Sequence, residues 1–391
     1  MDMKIKSNPN IVFPDYNHSI LGTITSILKY YNVNTTHKSS EILDKILKEK
    51  EYKNVILLIM DGMGESIIEK TAPEGYLKKN IIDIVTSVYP STTTAAMTTY
   101  YSGKTPYETG WIAWSQYFKE YGRSLDLLTH KETYYNESLK KPIIDVYEKF
   151  LKYDSIFDMI EKSETNIKTY EIKPEYAERK CKRVLCADDF FEVVEHIENI
   201  VKVPDKKFVF AYCDNPDSIL HKYGTDSIEV KNFILEIDDE IKKLSNKLEN
   251  DTLLIISADH GHKDIEKSYS LWDYPEIQEC LIMPPSLESR VVSFWIKNDM
   301  KEVFKERFNN IFGTEFLLVE KNDFIEKYKF LGSGVKNLKI DDFIGDYVAI
   351  SIKNSIIKID NLLVEAKTVK QSTHCGLTNE EMQVPIIIIK K

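Results

Sequence analysis

Arginine is nearly missing from this chain of 391 residues: Arg123, Arg179, Arg183, Arg290 and Arg307 are all there are. A clamp of several arginines on a phosphate is therefore not expected. Positive charge is also in deficit, with 52 Lys and Arg against 62 Asp and Glu and a net charge of −10. Overall charge thus offers no attraction to nucleic acid or to an anionic membrane, and neither is expected as a partner. Cysteine is scarce and scattered, at Cys181, Cys186, Cys213, Cys280 and Cys375. An odd, unpatterned set fits reduced thiols rather than a disulfide framework. The Cys181/Cys186 pair has no second pair to complete a structural zinc site. No apolar run approaches the roughly 20 residues that cross a bilayer. The opening MDMKIKSNPN leads into no apolar signal core. The expectation is a cytoplasmic protein. Repeats and low-complexity segments are absent.

What the chain has instead is a set of short apolar runs that stop abruptly on acidic residues. Leu253 to Ile256 lead through two small residues to Asp259-His260-Gly261-His262. Asn54 to Met60 end on Asp61-Gly62-Met63-Gly64. Lys207 to Cys213 end on Asp214-Asn-Pro-Asp217, with His221 following. Each run is of strand length, and helical patterns at 187–200 and 225–248 separate the later ones. Buried strands alternating with helices imply an α/β fold, with a mainly parallel central sheet and helices on both faces. Amphipathic patterns within residues 1–50 read as a helical lead-in. Residues 107–150 are aromatic and irregular, which reads as a long functional loop. The texture changes at 285–345, which reads as a small α+β insert in a main domain formed by 1–284 and 346–391.

In an open α/β sheet, chemistry sits just beyond the carboxyl ends of the strands. Four such places here carry metal-ligand types: Asp61, Asp217 with His221, Asp259 with His260, and His374. Asp217 and His221 are spaced i, i+4, so one helical turn puts both on one face. A single pair of this kind is most often a surface hydrogen bond. Six O and N donors together, without thiolate, suit a pair of borderline divalent ions such as zinc, with manganese as the alternative. The run Pro90-Ser91-Thr92-Thr93-Thr94 looks like a helix entry. A hydroxyl there becomes a useful nucleophile only beside a dication. By itself the run reads as simple capping.

The order Asp61-Gly-Met-Gly, Tyr89-Pro-Ser-Thr-Thr-Thr94, Asn215-Pro-Asp217 to His221, Ser257-Ala-Asp259-His260-Gly261 and His374-Cys-Gly resembles the alkaline phosphatase superfamily. It is most similar to the bacterial nucleotide pyrophosphatase/phosphodiesterase branch, over about residues 53–390. The resemblance implies two metal sites, one on Asp217, His221 and His374, the other on Asp61, Asp259, His260 and the nucleophile hydroxyl. It places the nucleophile at Thr93, ten residues before Gly103, with Thr92 as the alternative register. It implies hydrolysis of phosphodiester or phosphoanhydride bonds in a small, nucleotide-like substrate through a phospho-threonine intermediate. A phosphomonoesterase or phosphonate hydrolase on the same site is the alternative activity, and a degenerate binding module the non-enzymatic one. One departure stands out: the family's phosphate-contacting asparagine, three residues after the nucleophile, is Ala96 here. The donor role then falls to backbone amides such as that of Thr94. Trp111, Trp114 or Tyr117 are candidates to stack on a planar leaving group. His262, two residues after His260, is expected to support the site or face the substrate rather than to bind metal.

Overall fold

The computed structural model describes residues 8–128, 131–133, 146–163, 166–177, 180–358 and 370–391. Its central sheet has seven strands: β1 (Asn54–Met60), β2 (Ile81–Thr86), β3 (Ile167–Lys173), β4 (Val184–Cys186), β5 (Lys206–Cys213), β6 (Thr252–Ser257) and β7 (Gln383–Lys390). Their order across the sheet is β2-β7-β6-β1-β5-β3-β4. The five strands from β6 to β4 pair in parallel, and β7 runs antiparallel to both of its neighbours. Every residue of β1 and β6 is buried. Since successive side chains point to opposite faces, both faces are covered, which is why these segments read as unbroken apolar runs.

Register fixes where the strand ends meet. Met60 pairs with Cys213, and Ile59 with Ser257. The residues that follow β1, β5 and β6 therefore emerge side by side at one edge. The helix Thr93–Ser102 reaches the same edge after β2, starting from extended Thr92 and ending at left-handed Gly103. Asp217–Tyr223 forms a short helix directly after β5.

A second seven-stranded sheet lies outside this frame. Its order is Phe316–Glu320, Tyr347–Ser351, Val291–Phe294, Ser286–Glu288, Ser115–Phe118, Arg123–Asp126, Lys131–Glu132. This sheet takes in the strands of the expected insert at 285–345 but is not confined to it. The sheet continues to Ser351, and it also recruits strands from 115–132, a stretch expected to be loop. These strands have two to four residues, too short to show a period of two, and a turn at Gly122 interrupts them. Residues 129–130 and 134–145 of that stretch lie outside the described residues. Among the described residues, no helix is long and apolar enough to cross a membrane.

Candidate metal centre and active site

The strand ends bring the sequence-predicted donors together. Asp61 follows β1 and is buried, as are Asp259 and His260 after β6. The two loops touch through their glycines: a Cβ on Gly64 would lie 2.6 Å from the Gly261 Cα. His260 Nε2 lies 3.5 Å from Asp61 Oδ1 and 3.4 Å from Asp259 Oδ2. On the short helix, His221 Nε2 approaches Asp217 Oδ1 to 3.4 Å, as the i, i+4 spacing requires. His374 arrives from the loop before β7, with Nε2 3.9 Å from the same oxygen. Its ring stacks on that of His260 with centroids 3.9 Å apart.

The hydrogen bonds set the tautomers. His221 Nδ1 donates to the Ser372 carbonyl (2.7 Å), His374 Nδ1 to the Ser91 carbonyl (3.1 Å), and His260 Nδ1 to the Gly261 carbonyl (3.1 Å). A carbonyl can only accept, so in each neutral ring the Nε2 lone pair faces the cluster. Burial strips water from these groups and moves their proton affinities. It pushes the His374 and His221 imidazoles below their usual range, the neighbouring His260 adding to the effect. It raises the Asp61 carboxyl well above the carboxylate range, with the charges of Asp259 and Asp217 adding to the shift. Burial opposes ionisation of Asp217 too, but His221, His262 and His374 outweigh it and hold that carboxyl well below the usual range.

Three groups of donors lie within 4.8 Å of one another: Asp61, Asp259 and His260; Asp217, His221 and His374; and Asp217, His260 and His262. Asp61 Oδ1 and Asp259 Oδ2 are buried without any hydrogen-bond partner. Orphaned carboxylate oxygens of this kind are costly unless a cation satisfies them. The donor chemistry therefore fits divalent ions.

The Thr93 hydroxyl opens onto the first of these groups, 3.3 Å from Asp61 Oδ2 and 3.3 Å from His260 Nε2. The Thr92 hydroxyl turns away and donates to Glu288 Oε1 at 3.1 Å. Beside Thr93 lies a cavity of about 260 Å³. Thr94, Met97, Trp111, Trp114, Tyr153 and Tyr176 are among the side chains on its wall. Trp111 is nearly buried and donates its indole N–H to the Leu151 carbonyl, whereas Trp114 is 38% exposed. Tyr117 is not on the wall; its ring packs against Trp295 instead. Ala96 is fully buried and presents no donor.

Residues 55–331, well over half of the chain, match the type I phosphodiesterase/nucleotide pyrophosphatase family. The chain belongs to this family. Its members are metal-dependent hydrolases of phosphoester bonds, and this chain is a hydrolase of that class. Among solved structures, human ectonucleotide pyrophosphatase/phosphodiesterase 5 aligns with a TM-score of 0.62 at 17% identity, covering 87% of this chain and 88% of that one. The murine protein, as an inactive form in complex with AMP, gives 0.61 at 17% identity over 86% and 87%. Phosphonoacetate hydrolase from Sinorhizobium meliloti 1021, in complex with phosphonoacetate, gives 0.62 at 14% identity over 87% and 90%. At these identities the likeness is one of fold, the alkaline phosphatase-like sheet. No curated protein sequence matches the chain.

Three residues of this phosphodiesterase-family site carried no clear mark in the sequence. Tyr212, near the end of β5, donates its hydroxyl to Asp61 Oδ2. It occupies an ordinary strand position, and nothing in the apolar run sets it apart. Glu288 accepts from the Trp114 amide at 2.6 Å and from Thr92, joining the second sheet to the entry of the Thr93 helix. Burial raises its carboxyl above the usual range. His262 was visible, but it was expected to project differently from His260 and to support the site or face the substrate. The strand ends at Ser257, so no strand period fixes its direction, and His262 turns into the cluster beside Asp217.

Proposed function

We propose that the chain is a phosphodiesterase or nucleotide pyrophosphatase that uses two divalent ions, of which zinc suits the donors best. Asp217, His221 and His374 would hold one ion, and Asp61, Asp259, His260 and the Thr93 hydroxyl the other. The observation that carries this reading is the Thr93 hydroxyl, 3.3 Å from both Asp61 and His260 at the start of a ten-residue helix. Bound there, divalent ions supply charge neutralisation for the phosphoryl oxygens and lower the proton affinity of a coordinated hydroxyl or water.

The rest falls to the chain. Thr93 Oγ1 attacks phosphorus, the ester or anhydride oxygen departs in line, and water then hydrolyses the phospho-threonine to return the free hydroxyl. Asp61 orients the threonine hydroxyl. The first-turn amides of the Thr93 helix lack carbonyl partners within the helix and are placed to receive a phosphoryl oxygen, the part that Ala96 cannot play. Trp111 and Trp114 flank the cavity beside Thr93, where a planar leaving group or base would be accommodated. The substrate is accordingly a small nucleotide-like diester or anhydride.

Turnover of bis-p-nitrophenyl phosphate against p-nitrophenyl phosphate tests the ester class. A clear preference for the diester is expected. A strong preference for the monoester would replace this reading with a phosphomonoesterase, and cleavage of a phosphonate alone with a phosphonate hydrolase. If metal-loaded protein and Thr93→Ala were equally inert across diesters, the chain would be a binding module.

A further inference from the structure

His262 lies outside the ligand set that the family resemblance supplies, yet it makes the shortest approach to Asp217. Its Nε2 is 2.7 Å from Asp217 Oδ1, compared with 3.4 Å for His221 and 3.9 Å for His374. Three Nε2 atoms thus converge on one carboxylate oxygen. The His262 ring is fully inside the cluster, with its centroid 4.8 Å from that of His221 and 5.4 Å from that of His374.

The far side of the ring fixes which nitrogen carries the hydrogen. His262 Nδ1 lies 3.0 Å from Ser372 Oγ. Ser372 has one hydroxyl hydrogen, and it is given to the Leu220 carbonyl at 2.7 Å. Ser372 Oγ can therefore only accept from the imidazole, so Nδ1 is the donor. In the neutral ring Nε2 then carries a lone pair aimed at a carboxylate oxygen 2.7 Å away. Two acceptors at that separation repel unless a metal ion or a proton on Nε2 lies between them. The same residue serves both neighbours, since the Ser372 carbonyl holds His221 Nδ1. His221 and His262 are thus oriented by one short strand, as metal-bound imidazoles usually are by an oxygen on the remote nitrogen.

Room for the ring is left by Gly62, which has φ +75°. A Cβ there would come within 2.9 Å of His262 Cδ2 and 3.0 Å of its Nε2. The backbone at Asp61-Gly62 passes directly over the imidazole, and any other residue at 62 would push it.

We infer that His262 is a ligand of the ion at Asp217, so that this chain offers three imidazoles there rather than two. The inference rests on the two-metal reading above. Four protein donors on one ion resemble a closed site more than the three-donor site typical of catalytic zinc. They would bind tightly and favour a nitrogen-preferring metal such as zinc over manganese.

The test uses the full chain, stripped of metal and titrated with zinc and with cobalt. Wild-type protein is expected to bind two ions. His262→Gln, which keeps a hydrogen-bonding group beside Asp217 but no imidazole, is expected to bind one of them at least about tenfold more weakly. Its cobalt-loaded form should show an altered visible spectrum. Wild-type affinities with an unchanged spectrum in the variant would overturn the inference and leave His262 as a hydrogen-bonding neighbour of Asp217. X-ray absorption on wild-type protein holding two zinc ions needs no variant. Imidazole scattering from His221, His260, His262 and His374 supports the inference, and scattering that fits only His221, His260 and His374 overturns it. Wild-type protein that takes up no metal would sink the two-metal reading as well, which separates the two failures. Melting of the metal-free forms shows whether the variant is folded.

Discussion

Strand β1 is buried at every position from Asn54 to Met60, β6 is equally dry, and β5 and β7 of the same sheet are nearly so. The strand Arg123–Asp126 of the second sheet is exposed at one end and buried in the middle, and Phe316–Glu320 is buried only in part. The first kind of strand announces itself, because burial on both faces demands an unbroken apolar run. Arg123–Asp126 does not, because a strand this short supplies too few alternations to count. Their contributions differ as well. The central sheet delivers Asp61, Asp217, Asp259 and His260 to one edge by register. The second sheet delivers Glu288, against which Trp114 and Thr92 are set, and so shapes the wall beside Thr93. The candidate metal-binding groups follow the strands of the central sheet, and the groups proposed to meet the rest of the substrate lie beside the sheet with shorter pieces.

The largest effect should come from the hydroxyl on which both regions converge. Thr93→Ala is expected to lower kcat for a diester by at least about 10³-fold, as removal of a nucleophile does. Metal content, measured by elemental analysis, should stay near the wild-type level, since Asp61, Asp259 and His260 remain. Thr92→Val is the matched control. Its hydroxyl serves Glu288, so its loss should cost far less. If Thr92→Val were the dead variant and Thr93→Ala active, the register of the nucleophile would be off by one.

Next comes the joint between the sheets. Arg290, in the turn between Ser286–Glu288 and Val291–Phe294, forms a fully buried pair with Glu381, at 2.6 and 2.8 Å. Glu381 in turn accepts from the amide of Gly376 and the hydroxyl of Thr378, in the loop that carries His374 into β7. Arg290→Met leaves a buried carboxylate without its partner, which costs about 3–5 kcal/mol. Urea unfolding of the metal-free protein measures it. A change below about 1 kcal/mol would mean that the two sheets are joined by other contacts.

Legibility in the sequence followed the same division. Asp61, Asp259 and His260 could be picked out because each interrupts an apolar run, and Asp217 with His221 because the spacing puts them on one helical face. Thr93 needed the family resemblance, since a triple threonine contains no internal clue to register; the geometry separates it from Thr92 by what each hydroxyl touches. Trp111 and Trp114 were suspected from composition alone, and only the fold separates them from Tyr117. Glu288 was illegible because its role depends on a strand pairing with residues some 170 positions earlier. His262 was legible as a residue but not as a direction, because a chain leaving a strand forgets the period of two.

A smaller effect is expected at the wall. Trp114→Ala removes an aromatic face that is 38% exposed. If it stacks on the leaving group or base, KM for a nucleotide diester should rise about tenfold, the size of one lost stacking contact. The value of kcat should change little, because the stacked face would be held alike in the bound substrate and in the transition state. Equal KM values for variant and wild type would confine Trp114 to supporting the second sheet.

The smallest effect tests whether strands β1 and β5 act on each other chemically as well as by pairing. Asp61 is hard to ionise because it is buried beside Asp259 and Asp217, and the Tyr212 hydroxyl is the group that eases ionisation by donating to Oδ2. Tyr212→Phe deletes that donor and keeps the ring. The ionised carboxylate loses a hydrogen bond and the neutral acid does not, so the carboxyl rises further. A divalent ion needs the ionised form and competes with the proton for it. Metal uptake in the variant should therefore reach its midpoint at higher pH than in wild type, by about 0.4–1 pH unit for a hydrogen bond worth about 0.5–1.5 kcal/mol. Metal occupancy measured across a pH series reads this shift directly. An unmoved midpoint would mean that Asp61 binds its ion through the oxygen that Tyr212 does not touch, with the tyrosine serving only to pack β5 against the site.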